Sequence, residues 1–136
     1  MRESYMRRRV IKILRKAGLD PVPVENLVGP GTPDINYIEG WLELKQLDAW
    51  PVRENSPVVI RHLTLQQKIW IRSRASHGGR VHLLLHVDGT WLLFDAAGVE
   101  KLLRIPKKKI LEIALREWHS WGKLSEELPG ALTHES

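Results

Sequence analysis

The segment Gly31-Thr32-Pro33-Asp34-Ile35-Asn36-Tyr37-Ile38-Glu39-Gly40-Trp41-Leu42-Glu43-Leu44-Lys45 carries the punctuation of a β-hairpin. A breaker run ends at Asp34 and a short apolar arm follows. Glu39-Gly40 offers a turn, and a second arm alternates from Trp41 to Lys45. Successive side chains on a strand project to opposite faces, so Glu43 and Lys45 share one face while Leu42 and Leu44 share the other. A turn at Glu39-Gly40 puts Asp34 on the neighbouring strand near the level of Glu43 and Lys45. Two carboxylates and an ammonium then crowd one patch beside apolar neighbours, where each charge needs a partner. A divalent cation resolves that conflict by taking both carboxylates as oxygen ligands.

Composition sets the frame around this hairpin. With 136 residues, 43% hydrophobic and 27% charged, the chain fits one globular domain with a modest core. The net charge of +5 favours a polyanionic partner. No apolar run approaches the length that spans a bilayer, and the basic N-terminus has no apolar signal core behind it. A cytoplasmic protein is expected. The absence of cysteine excludes disulfides and thiolate zinc sites.

Upstream, residues 3–17 have the stripe of an amphipathic helix ended by Gly18. Met6, Val10, Ile13, Leu14 and Ala17 form the apolar face, with Arg7, Arg8, Arg9, Lys12, Arg15 and Lys16 mostly around it. At about 100° per residue, Glu3 falls on the apolar stripe between Val10 and Leu14. Two readings of Glu3 stand: a solvated acid favouring the helix dipole, or a carboxylate aimed at a site. Residues 21–28 suggest a short strand with prolines suited to an edge. Within it Glu25 rivals Glu3 as an extra carboxylate, and Asn26 either contacts phosphate or closes the turn before Gly29.

Downstream, residues 46–63 form a long connection without evident structure, a feature often functional or mobile. Its Trp50, Arg53, Arg61 and His62 suit base stacking and phosphate contact, or alternatively the tryptophan simply packs down. Residues 64–75 form a second helix, with Thr64 and Gln67 in capping-box spacing. Leu65 and Ile69 are expected to face the sheet, with Lys68, Arg72 and Arg74 outside. A buried strand over residues 80–87, a turn at Asp88-Gly89 and a return strand over residues 90–94 follow. His82 and His86 share a strand face without an evident third ligand. Residues 96–104 and 106–120 are expected as two helices, and the tail after Trp121 as peripheral. The domain is thus expected as a core over residues 1–95, a helical extension over 96–121 and a tail over 122–136.

Pro33-Asp34 followed by Glu43-Leu44-Lys45 resembles the signature of the PD-(D/E)xK nuclease superfamily, most closely its small VRR-NUC branch, and is similar to that of archaeal and bacteriophage Holliday-junction resolvases. The resemblance covers residues 1–95. It implies an α/β, restriction-endonuclease-like core with a mixed central sheet flanked by helices, in an intracellular protein of bacterial or bacteriophage type. It also implies Mg²⁺, with Mn²⁺ as substitute, held by Asp34, Glu43, the Leu44 carbonyl and Glu3 from the first helix. Lys45 would orient water or offset charge in the transition state, with general base as the alternative, and Gln67 would stand at the start of its helix near the metal. The expected reaction is DNA hydrolysis leaving 5′-phosphate and 3′-hydroxyl ends, on branched DNA, by a homodimer. Arg7, Arg8, Lys12, Trp50, Arg53, Arg61, Lys68 and Arg72 are the expected DNA contacts. A nickase, a flap nuclease or a non-catalytic basic DNA-binding module are the alternatives.

Overall fold

The computed structural model describes residues 2–25 and 31–134. The expected Asn26 contact and the end of the expected strand over residues 21–28 lie outside those residues. The chain opens with α1 (Glu3–Lys16), which carries an acid in its first turn and Arg15 and Lys16 in its last, as the helix dipole favours. It ends as its glycine predicts. Gly18 takes φ +80°, while Gly18 and Leu19 donate their amides to the Arg15 and Leu14 carbonyls.

The strands β1 (Val22–Pro23), β2 (Ile35–Tyr37) and β3 (Gly40–Leu47) form an antiparallel meander. Beyond it come the two-residue strand β4 (Pro57–Val58) and the helix α2 (Leu65–Ser76). This connection carries the chain over to β5 (Arg80–Val87), which lies parallel to β3. β6 (Thr90–Asp95) returns antiparallel to β5. The short helix α3 (Ala96–Glu100), the strand β7 (Ile105–Pro106), the helix α4 (Lys107–Ile113), the strand β8 (Arg116–Trp118) and the helix α5 (Trp121–His134) complete the fold. The central sheet is six-stranded and mixed, in the order β1-β2-β3-β5-β6-β8, and β4 pairs with β7 apart from it. This is the expected α/β architecture of a mixed sheet flanked by helices.

Two apolar layers sandwich the sheet, split by the period-two alternation of its strands. On one face Leu42, Leu44, Leu84 and Leu93 pack under α1 and α5. On the other, Leu47, Leu83, Leu85, Leu92 and Phe94 pack under α2, α3 and α4.

Several expectations change. The hairpin turns at Ile38-Glu39, because Tyr37 pairs with Gly40. Gly40 is needed for another reason: a Cβ there would overlap the Arg80 carbonyl oxygen of β5. The connection over residues 46–63 is not without structure, since β4 is tied to β7. The helix expected over residues 106–120 divides into β7, α4 and β8, because the chain leaves α4 at Ala114 in an extended conformation. The tail expected as peripheral is α5, whose Leu124, Leu128 and Leu132 are fully buried. On α2, Leu65 and Ile69 are 69% and 44% exposed while Ile71 is buried. That helix is rotated from its expected setting because its first turn is tied to the hairpin, the Gln67 side chain donating to Glu43. Ala17 is likewise exposed rather than on the buried stripe of α1.

Candidate active site

Strand alternation delivers Glu43 and Lys45 to the α2 side of the sheet, while the Ile35–Leu42 pairing sets Asp34 opposite Glu43 at the mouth of the hairpin. Moving the turn by one residue shifts every cross-strand partner by two, so each side chain keeps its expected face. Asp34 and Glu43 brace each other through the backbone. The Leu44 amide donates to Asp34 Oδ2 at 2.9 Å, and the Asp34 amide donates to Glu43 Oε1 at 3.2 Å. The Leu44 carbonyl leaves β3 on the same side as its amide, toward Asp34.

Glu43 Oε2 receives two further groups: the Lys45 ammonium at 3.0 Å and the Gln67 side-chain amide at 3.0 Å. Gln67 is aimed by its other duty. Its Oε1 accepts from the Thr64 amide at 3.1 Å, and its own backbone amide donates to the Thr64 hydroxyl at 3.2 Å. The capping box therefore locks the amide so that its NH₂ points at the carboxylate. Gly31, at φ +84°, allows the close packing, for a Cβ there would run into the Gln66 backbone. The Lys45 ammonium has one more partner, donating to the His62 carbonyl at 2.8 Å. His62 adopts φ +65°, an uncommon backbone for a residue with a Cβ.

Glu43 and Lys45 are 2% and 3% exposed. Burial pushes the Glu43 carboxyl up to about 8, with the Asp34 charge adding to the rise and Lys45 opposing it. A second positive charge at Asp34 and Glu43 would therefore be favourable. Two carboxylates and a main-chain carbonyl suit Mg²⁺, which keeps several waters and takes few protein ligands. Glu3 is not part of this set. Among the described residues no three of His, Cys, Asp or Glu gather as a ligand group. Glu3 is exposed rather than turned into the apolar stripe, and lines a neighbouring cleft with Gln46, Arg61 and His62. Glu25 is exposed as well.

Of the expected DNA contacts, Arg8, Lys12, Arg53 and Arg61 are exposed and Arg7 is half-buried. Trp50 packs against the apolar layer under α2 to α4, with the Lys107 ammonium 5.1 Å from its ring centre. Lys68 and Arg72 tie α2 to the α3 region. Lys68 donates to the Leu102 carbonyl at 3.1 Å, and Arg72 sits 3.6 Å from the Glu100 carboxylate. Sequence reasoning missed the His62 carbonyl as a partner of Lys45. A main-chain carbonyl leaves no trace in residue identity.

The fold has a counterpart among solved structures. The chain is similar to Hjc, a Holliday junction resolvase from the archaeal hyperthermophile Archaeoglobus fulgidus, with a TM-score of 0.56. The fold is resolvase-like. The likeness covers 83% of this chain and 94% of that one at 19% identity. No family model and no curated protein matches the chain. Within this resolvase-like fold no described helix is long and apolar enough to cross a membrane.

Proposed function

We propose that this chain is a Mg²⁺-dependent endodeoxyribonuclease of the PD-(D/E)xK type that cuts branched DNA, with Mn²⁺ as an alternative ion. The observation that carries this reading is the convergence of Asp34, Glu43, Lys45 and Gln67 through direct hydrogen bonds. The fold supports it, and favours a resolvase-like assignment over the VRR-NUC branch.

Asp34, Glu43 and the Leu44 carbonyl would hold the ion, which supplies Lewis-acid activation of phosphate and water. The chain's own residues do the rest. Gln67 and the Asp34 amide fix one oxygen each of the Glu43 carboxylate, so its orientation is set before substrate arrives. The Lys45 ammonium, held by Glu43 and the His62 carbonyl, orients water and offsets the negative charge of the phosphorane-like transition state. We favour this positioning role over general-base catalysis. The exposed Arg53 and Arg61 meet phosphates by charge rather than by base reading. The working form is a cytoplasmic homodimer, which presents two sites to the two strands that a four-way junction requires cut.

The test is incubation of the purified protein with Mg²⁺ and a panel of linear, nicked, flap and four-way DNAs. Asp34→Ala and Lys45→Ala should abolish cleavage while leaving binding largely intact. Wild-type protein that cuts no DNA form with Mg²⁺ or Mn²⁺ would leave only a basic DNA-binding module.

A further inference from the structure

α1 and α5 lie together on the sheet face opposite Glu43 and Lys45, and a cleft of about 800 Å³ runs between them. Its α1 wall carries Arg8, Arg9, Lys12 and Lys16. Arg8, Lys12 and Lys16 recur every four residues, so they form a row with ~6 Å steps and a total reach of ~12 Å. None of these four cations is ion-paired with a described residue. Glu126 is the one described acid in the lining, and it lies 3.7 Å from Lys123.

Like charges spaced four residues apart on a helix weaken it, so α1 gains nothing in stability from this row. Arg9 is also held in place. Its guanidinium carbon lies 3.7 Å from the Trp121 ring centre and 5.5 Å from that of Tyr5. Stacking of this kind fixes the donor fork while leaving the charge at the cleft. A row of unneutralised cations beside the stacked Arg9 fits a regular polyanion. A duplex strand carries one charge per ~3.4 Å of axis, so the row matches about three to four consecutive phosphates.

We propose that the α1–α5 cleft is a second DNA-backbone site, holding an arm of a branched substrate away from the arm that is cut. This rests on the nuclease reading above. The sheet separates the cleft from the Asp34–Glu43 site, so one straight duplex does not run along both. A branched substrate, whose arms diverge, reaches both surfaces.

The test uses the full chain without divalent metal and follows fluorescence anisotropy of four-way DNA and of a linear duplex across a salt series. An Arg8→Gln/Lys12→Gln/Lys16→Gln triple is compared with an Arg15→Gln/Lys101→Gln/Arg104→Gln triple of equal charge. All six positions are exposed, and the control positions lie outside the cleft. Thermal melts confirm that both variants fold. The cleft triple should weaken four-way binding by about ten-fold or more and lower the slope of log affinity against log salt by about 2 to 3. Its preference for four-way over linear DNA should shrink, while the control triple changes little. Equal losses in both triples, or unchanged binding by the cleft triple, overturn the proposal. The two readings fail separately. Four-way binding through the cleft without cleavage of any DNA removes the nuclease and keeps the cleft, whereas cleavage with unchanged binding by the cleft triple does the reverse.

Discussion

Glu43 has almost no water to share its charge with, and Asp34 stands beside it. Its folded pKa of about 8 lies above the ordinary 4.5, so the folded state keeps a proton that the unfolded chain releases. Between those values stability falls as pH rises, by up to about 1.4 kcal/mol per unit. In EDTA, the melting temperature of the wild type should drop from pH 5 to pH 8. Glu43→Gln keeps the shape without the ionisation, so its melting temperature should vary much less. Parallel curves for the two proteins would show that Glu43 does not set the dependence. At pH 8, added Mg²⁺ should raise the melting temperature of the wild type by mass action and leave Asp34→Asn nearly unmoved. A thermal-shift titration reads both.

At the scale of elements, two junctions carry the site. The first is the capping box of α2, where Thr64 touches neither carboxylate yet holds the amide that does. Thr64→Ala should cost about 1 kcal/mol in denaturant unfolding and also slow DNA cleavage, whereas Thr64→Ser restores both. Normal cleavage by the alanine variant would mean that Gln67 needs no such aiming. The second junction is the approach of β3 to β5 at Gly40 and Arg80. Gly40→Ala pushes a methyl group into the Arg80 carbonyl and should cost about 1 to 3 kcal/mol, read from the midpoint of urea unfolding. Gly89→Ala meets no atom within 4 Å, and its cost is only that of its left-handed backbone.

For the whole molecule, the core is completed by its last helix. α5 buries Leu124, Leu128, Ala131 and Leu132 against α1 and the sheet, and the Leu132 carbonyl accepts from the Tyr37 hydroxyl at 3.3 Å. Leu128→Ala should therefore cost about 2 to 5 kcal/mol, as a cavity in a packed interior does. A loss below 1 kcal/mol in chemical denaturation would return this helix to the periphery. Because α1 is common to the buried layer and to the cationic cleft, such a variant should also weaken binding of four-way DNA at temperatures near its melting point.

Local rules were enough for part of this protein. The 3.6-residue stripe and Gly18 mark α1 and its end, the Thr64 to Gln67 spacing marks the start of α2, and alternation puts Glu43 and Lys45 on one face. These features depend on neighbours within a few residues, and residue identity records them. Long-range packing settled the rest. Which face of α2 turns inward follows from the Gln67 bond to Glu43 across the domain, and Glu3 stands exposed on the cleft it shares with Gln46, Arg61 and His62 rather than with the carboxylate pair. The same holds for α5, expected only as a peripheral tail, whose Leu124, Leu128 and Leu132 meet α1 and the sheet only in the assembled fold. Periodicity reports that a face is apolar, but only the assembled layers determine what covers it.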